Sequence, residues 1–310
     1  MEIYVVSDVG GTQIRVASFD VETLTLIKQK KIPTQSSGQL PEDRLLQLIK
    51  KIKEDHTVKA IAVAAPGFLD PDLGIVYEAP NIPGWNNFPL KKILSDAFHV
   101  PVFIGNDANL AALGEWKFGA GIGHNNLLYL TISTGIGGGA IIDNHLILGQ
   151  KGLAGEFGHV TILPDGPICG CGKKGHIEAL ASGTAIKNYV NEQIAAGRAS
   201  SLRKFEKITG ERITAAAQHG DELAIEAYNR AGYYLGIAVT NFLHMLNPSI
   251  VIFGGGVSLS GDLLFVPMRK SLQDRVVSPA YLENLTFTTS QLGDDVGLKG
   301  ALALLVIKMS

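Results

Sequence analysis

Two α/β domains facing each other across a cleft are the fold class this sequence predicts, and three observations carry it. Residues 3–7 (IYVVS) read as a buried strand, 8–12 (DVGGT) as a glycine turn and 14–20 (IRVASFD) as an alternating strand, a hairpin with an acid at its bend. The pattern recurs about 125 residues later, at 127–142, where LLYLTIS runs into TGIGGG and then AIIDN. A chain of 310 residues is long enough for two cores, and a glycine-tipped hairpin opening each half predicts two related domains.

After the first hairpin, apolar residues at 45, 48, 49 and 52 keep to one face of a helix, and AIAVAA (60–65) and PVFIG (101–105) read as buried strands, the latter leading into a helix from Ala108. These complete a first domain, residues 1–117. The second half is richer in helix, over 178–196, 201–217 and 221–245, the last stopped by Asn247-Pro248. SIVIFGG (249–255) supplies another strand with a glycine turn, and GLKGALALLVIK (297–308) has the composition of a terminal helix that crosses back onto the first domain. The expected division is therefore 1–117 plus 296–310 against 118–295, with short hinge-like crossings because no low-complexity linker intervenes.

Composition narrows the function classes. A formal charge of −2 offers no basic surplus for nucleic acid, and 46% hydrophobic residues fit a globular protein. No uncharged apolar run reaches the ~18 residues of a membrane helix, and the first strand starts near Met1 without a basic leader, so neither membrane nor export is expected and the cytoplasm is.

Chemistry concentrates in the turns. Asp8 to Thr12 is followed by a strand, which excludes the dinucleotide fingerprint that needs a helix there. Its backbone N–H groups at Gly10 and Gly11 and the Thr12 hydroxyl suit phosphate, and Asp8 suits a hydrated Mg²⁺. Hairpins also use glycine for purely conformational reasons. Three such turns at strand ends, 8–12, 133–139 and 254–256, favour nucleotide binding over that plainer reading. In Gly105-Asn-Asp-Ala-Asn109, Asn106 and Asp107 either cap the next helix or face a ligand. Together with Glu156, His159 and Glu178 they form a set of donors and acceptors for a polyol, with Asp107 the candidate base for an attacking hydroxyl.

Residues 155–178 hold both cysteines of the chain. His159, Cys169, Cys171 and His176 have the order and spacing of a four-ligand zinc site, and the surrounding glycines let the backbone turn around an ion. The competing reading is two reduced cysteines beside unrelated histidines. A Cys169–Cys171 disulfide is disfavoured by the single intervening residue and by the lack of any sign of an oxidising compartment.

DVGGT (8–12), APG (65–67), APN (79–81), NDAN (106–109), STGIGGG (133–139), GEFGH (155–159), CGCGKKGHIE (169–178) and FGGGV (253–257), in this order, resemble the ROK family of sugar kinases within the actin, hexokinase and Hsp70 ATPase superfamily. The resemblance implies two ribonuclease-H-like, actin-like ATPase domains and ATP-dependent phosphorylation of a hexose at its 6-hydroxyl, commonly glucose. It implies Asp107 as base, with Gly67, Asn106, Asp107, Glu156, His159 and Glu178 holding the sugar. Asp8, Gly10, Gly11, Thr12, Thr134 and Gly135 fall to Mg²⁺ and the phosphates, and Gly255 and Gly256 to the adenosine. Alternative substrates within the family are N-acetylmannosamine, fructose and allose; a sugar-sensing regulator is the alternative from another class, disfavoured because the phosphate strand begins at residue 3. The family is often dimeric, so a homodimer or higher homo-oligomer is expected. One departure stands out: the family usually has a third cysteine where this chain has His176, whose longer reach to nitrogen requires the loop to shift or the zinc site to weaken. With zinc bound, one ring nitrogen of His159 is expected to face the metal and the other the sugar.

Overall fold

A computed structural model describes residues 1–310. In chain order the first elements are β1 (Glu2–Val9), β2 (Gln13–Asp20), β3 (Leu26–Pro33), α1 (Pro41–Lys53), β4 (Thr57–Ala65), β5 (Phe68–Asp70), β6 (Ile75–Glu78), β7 (Asn86–Phe88), α2 (Leu90–Phe98), β8 (Val102–Asn106) and α3 (Asp107–Phe118). They are followed by β9 (Leu127–Ile132), β10 (Ile136–Ile142), β11 (His145–Leu146), α4 (Glu178–Ala181), α5 (Gly183–Ala195), α6 (Gly210–Gln218), α7 (Glu222–Leu246), β12 (Ile250–Gly254), α8 (Asp262–Gln273), β13 (Thr286–Thr289) and α9 (Val296–Lys308).

Two five-stranded sheets repeat one plan. In the first, ordered β3-β2-β1-β4-β8, an antiparallel β1–β2–β3 meander is extended by parallel β4 and β8. The second, ordered β11-β10-β9-β12-β13, places the β9–β10 hairpin and antiparallel β11 on one side and parallel β12 and β13 on the other. A small β5-β6-β7 sheet is added to the first. Continuous apolar runs in β1, β4, β9 and β12 follow from burial on both faces.

The chain divides into two compact units, residues 1–124, 139–155 and 291–310 in one and 125–138 with 156–290 in the other. In the first, Leu45, Leu48, Ile49 and Ile52 of α1 are buried as their spacing requires, and α9 packs on α3, β1 and β4. Segments 118–124, 139–155 and 291–295, expected with the second domain, all group here, and for the first and last the reason is visible. The fully buried Glu115 on α3 accepts hydrogen bonds from the backbone of Ala120 (2.8 Å) and of Leu292 (3.0 Å), tying both segments to the helix. The second unit packs α4 to α8 around Leu128, Leu130, Ile132, Phe242, Phe253 and Met268.

Four differences from the sequence reading are local. The helix expected over 178–196 breaks at Ser182, which is extended and caps α5 by accepting from Ala185 N at 3.1 Å. The one expected over 201–217 starts only at Gly210, capped by Thr209. Helix α8 carries Pro267, a residue that reads as a stop, and β3 is an exposed edge strand without an apolar pattern; both escape periodicity.

Candidate active site and metal centre

The first unit holds Asp107, the expected base, and the first glycine turn. Gly10 N donates to Gln13 O at 2.8 Å, closing the turn, and Thr34 fixes it from outside by bonds to Thr12 O and Gly10 O. Asp8 pairs in register with Arg15 across β1–β2 and lies against Gly297 in the first turn of α9. Burial raises its carboxyl above the ordinary range, and the Arg15 charge offsets only part of that. The Gly10 N–H, expected to face phosphate, is instead spent on Gln13 O, which leaves Gly11 and Thr12 as the turn's donors. A half-buried carboxylate beside them fits a hydrated divalent cation, which would hold the ionised form in place and neutralise phosphate oxygens.

Asn106 is committed largely to structure. Its Oδ1 accepts from Ala108 N (3.0 Å) and Asn109 N (3.1 Å), capping α3, while its Nδ2 donates to Gly67 O (3.2 Å). One amide hydrogen is left for a ligand. Gly67 sits at φ +84°, and a Cβ there would fall 2.0 Å from Glu78 O, so no other residue fits. Asp107, the first residue of α3, is half-buried, and its Oδ1 accepts from Ala108 N at 2.8 Å.

The second unit gathers the acids and the metal-type ligands. Glu178 opens α4, and its Oε2 accepts from Ile136 N at 3.1 Å while its Oε1 accepts from the Cys169 thiol at 3.1 Å. Gly135 is the residue that makes room: a Cβ there would lie 2.3 Å from Glu178 Oε2. Glu156 lies 3.8 Å from His159 Nε2, and burial raises its carboxyl, with His159 opposing and Glu178 adding to the shift.

The other face of His159 meets the cysteines, its Nδ1 3.7 Å from Cys169 Sγ; Cys171 Sγ lies 3.3 Å from His176 Nδ1. All four ligand atoms fall within 4.8 Å of one another. Tetrahedral zinc with two sulfur and two nitrogen ligands places them roughly 3.3–3.8 Å apart; the His159–Cys169 and Cys171–His176 pairs have that spacing, and the wider pairs would draw together on an ion that suits this donor set. The backbone makes the fit possible: Cys169 N donates to Lys173 O and Gly172 N to Cys169 O, closing a knuckle, and Thr161 bridges to His176. Burial and the bond to Glu178 push the Cys169 thiol up to about 12, a proton that metal binding would have to displace.

Also in this unit is a cavity of about 520 Å³, lined by Thr134, Lys187, Glu211, Tyr228, Gly256 and Val257 among others. Of the turn residues expected at a nucleotide, Thr134 and Gly256 line it. Gly255, at φ +81°, packs beneath on Ile132 O and lets Val257 N bond that same carbonyl at 2.9 Å. Sequence reasoning missed Lys187 and Glu211. Neither sits in a glycine turn; each is a single charged residue on a helix, a position that carries no pattern of its own.

Comparison with known proteins agrees with this geometry. The ROK family model matches residues 4–308, and the chain belongs to the ROK family. It is 37% identical over 309 residues to the glucokinase of Halalkalibacterium halodurans, covering 96% of this chain and 93% of that protein. Among solved structures, the ROK family glucokinase from Streptomyces griseus in complex with glucose and AMPPNP superposes with a TM-score of 0.81 at 35% identity, covering 97% of this chain and 98% of that one. The ROK hexokinase from Thermus thermophilus gives 0.83 at 34% identity, over 99% and 100% of the two chains. The fold is that of the ROK kinases, with two actin-like ATPase domains. No helix is long and apolar enough to cross a membrane.

Proposed function

We propose that this protein is an ATP-dependent hexose kinase that phosphorylates glucose at its 6-hydroxyl. The observation that carries the reading is the joint placement of Glu156, His159 and Glu178 around the single 3-10 turn Phe157–His159 and the start of α4, a cluster of fixed acceptors, in a chain similar over nearly its whole length to glucokinases. The 520 Å³ cavity beside Thr134 and Gly256 supports the nucleotide half.

In the reaction, Glu156 and Glu178 accept hydrogen bonds from ring hydroxyls and hold the sugar. Asp107 takes the proton of the 6-hydroxyl as its oxygen bonds the γ-phosphorus; the bond from that phosphorus to the β,γ-bridging oxygen breaks, and ADP leaves. Gly11 presents its N–H and Thr12 its O–H to the phosphates, while Gly10, whose own N–H is bonded to Gln13 O, shapes the turn that offers them. Mg²⁺, held through water by Asp8, would supply charge neutralisation of the transferring group. Zinc held by His159, Cys169, Cys171 and His176 would fix the loop that carries Glu156 and Glu178, orienting the sugar ligands without entering the chemistry.

A coupled assay over a hexose panel with MgATP tests the assignment. Glucose should give the highest kcat/KM; a higher value for N-acetylmannosamine, fructose or allose would reassign the substrate, and no turnover with any hexose would reject the kinase. Elemental analysis of the purified protein should find about one zinc per chain, and less than a few tenths with full activity would show that the knuckle closes without metal.

A further inference from the structure

Asn81 belongs to none of the roles above, yet it occupies a singular place in the first unit. The segment Glu78–Trp85 runs as a strap from the sugar-facing glycine to the phosphate-type turn. At one end Glu78 O is the atom that forbids a side chain at Gly67; at the other, a Cβ on Gly11 would lie 2.6 Å from Asn81 Cβ and 3.1 Å from Asn81 O. Gly11 lacks a side chain because Asn81 rests on it.

The strap is rigid around this residue. Ile82 N donates to Ala79 O (2.9 Å), Ala79 N to Trp85 O (3.1 Å) and Trp85 N to Ile82 O (3.2 Å). Ala79, Ile82 and Trp85 are buried, Trp85 stacks on Phe88 with ring centroids 5.0 Å apart, and its indole N–H bonds Glu42 at 3.2 Å. Pro80 sets the turn at its preferred position. Asn81 alone of this turn's residues presents a polar side chain, and that amide is exposed and takes no bond from the chain. An unused donor on a preorganised turn, set between a sugar-facing and a phosphate-facing element, is the arrangement that stabilises charge developing in a transition state.

We infer that Asn81 is a further catalytic residue, whose side-chain N–H groups donate to an oxygen of the γ-phosphoryl group as it passes to the sugar. The inference rests on the kinase reading and adds a ligand for the transferring group. The plainer explanation, that Asn merely suits the turn, is separable: Asn81→Gly keeps turn chemistry and removes the amide. Asn81→Asp keeps size and turns a carboxylate toward the phosphates.

Both variants are made in the full chain and compared with wild type by steady-state kinetics and by calorimetric titration with MgAMPPNP, each checked to melt within about 2 °C of wild type. Asn81→Gly should lower kcat by about 10- to 100-fold with glucose KM within about twofold, the signature of an interaction made in the transition state. Asn81→Asp should lower it further and weaken MgAMPPNP by at least about tenfold through charge repulsion. Wild-type kcat in Asn81→Gly overturns the inference, as does unchanged MgAMPPNP affinity in Asn81→Asp. Should wild type turn over no hexose, the kinase reading falls by itself, and the titration alone then decides whether Asn81 faces phosphate.

Discussion

The glycine turn between β1 and β2 brings its own carboxylate, Asp8, whereas the turn between β9 and β10 has none and receives one from α4, Glu178. The backbone plan around them is the same, a hairpin flanked by parallel strands in a five-stranded sheet. Their surroundings differ. Asp8 is raised by burial and lacks enough positive charge nearby to be comfortable when ionised. Glu178 is supplied with two donors, Ile136 N and the Cys169 thiol. On the proposed reading, a repeated backbone plan serves two tasks: the first turn would be completed by a cation, and the second would hold an acid for a neutral polyol.

The largest effect should come from the unit that carries the first turn. Asp107→Asn removes the base while keeping size and capping capacity, so kcat should fall by about 10²–10⁴-fold with sugar affinity retained. Near-normal turnover would end the assignment.

Asp8→Asn tests whether that turn is completed by a cation. The kcat/KM for MgATP should fall by about 10²-fold or more. Stability should move the other way. Because the folded-state value of Asp8 is raised, the stability its protonated form contributes is present at low pH and is lost as pH rises through that value. In metal-free protein the asparagine variant should therefore melt higher than wild type at pH 8, with the gap closing toward pH 4. A variant that melts lower at pH 8 would mean that Asp8 is paired after all.

The two glycines at matching places sharpen the contrast. A side chain at Gly135 meets Glu178 Oε2 at 2.3 Å, while one at Gly10 meets only Gln13 O at 3.5 Å. Gly135→Ala should displace Glu178 and weaken glucose binding by roughly 1–3 kcal/mol, the cost of sugar hydroxyls left without their acceptor. Gly10→Ala should fold normally and leave glucose binding unchanged, any loss falling on MgATP. Calorimetry with glucose on both variants separates them; equal effects would erase the division of labour.

The sequence was most legible where chemistry and backbone geometry coincide. Two glycine hairpins, the capped strand end at Asn106–Asp107 and the Cys/His knuckle could each be placed from local pattern, because tight turns and metal ligands restrict residue type at fixed spacing. The break at Ser182 could not, since apolar periodicity runs through it and the bond made there, Gly183 N to Ser133 O at 2.8 Å, joins segments fifty residues apart. Nor could the competing demands on one side chain: Asn106 fits both a cap and a sugar ligand by type, and its bonds to Ala108, Asn109 and Gly67 are contacts of the folded chain. Lys187 and Glu211 line the cavity through the packing of separate helices, which leaves no trace in spacing.

The smallest effect belongs to an ion pair within the second unit, and it serves as a control for both turns. Glu226 on α7 is held by Arg198, with Oε2 2.7 Å from Nη2 and Oε1 3.3 Å from Nη1, and by the Tyr189 hydroxyl. The Arg198 bond, then that of Tyr189, lowers the Glu226 carboxyl below its ordinary range. Its stabilisation is thus present above the unfolded value, about 4.3, and is lost as pH falls through the depressed folded value. Both ionic partners are well exposed, 41% and 42%, so solvent screens most of the attraction. Glu226→Gln should lower Tm by no more than about 2 °C at pH 7, with the difference shrinking below pH 4. It should leave the KM for glucose and for MgATP unchanged. A variant that altered either KM would show that the helical layer of the second unit feeds into the sites, and the effects at Gly10 and Gly135 could then no longer be assigned to the turns alone.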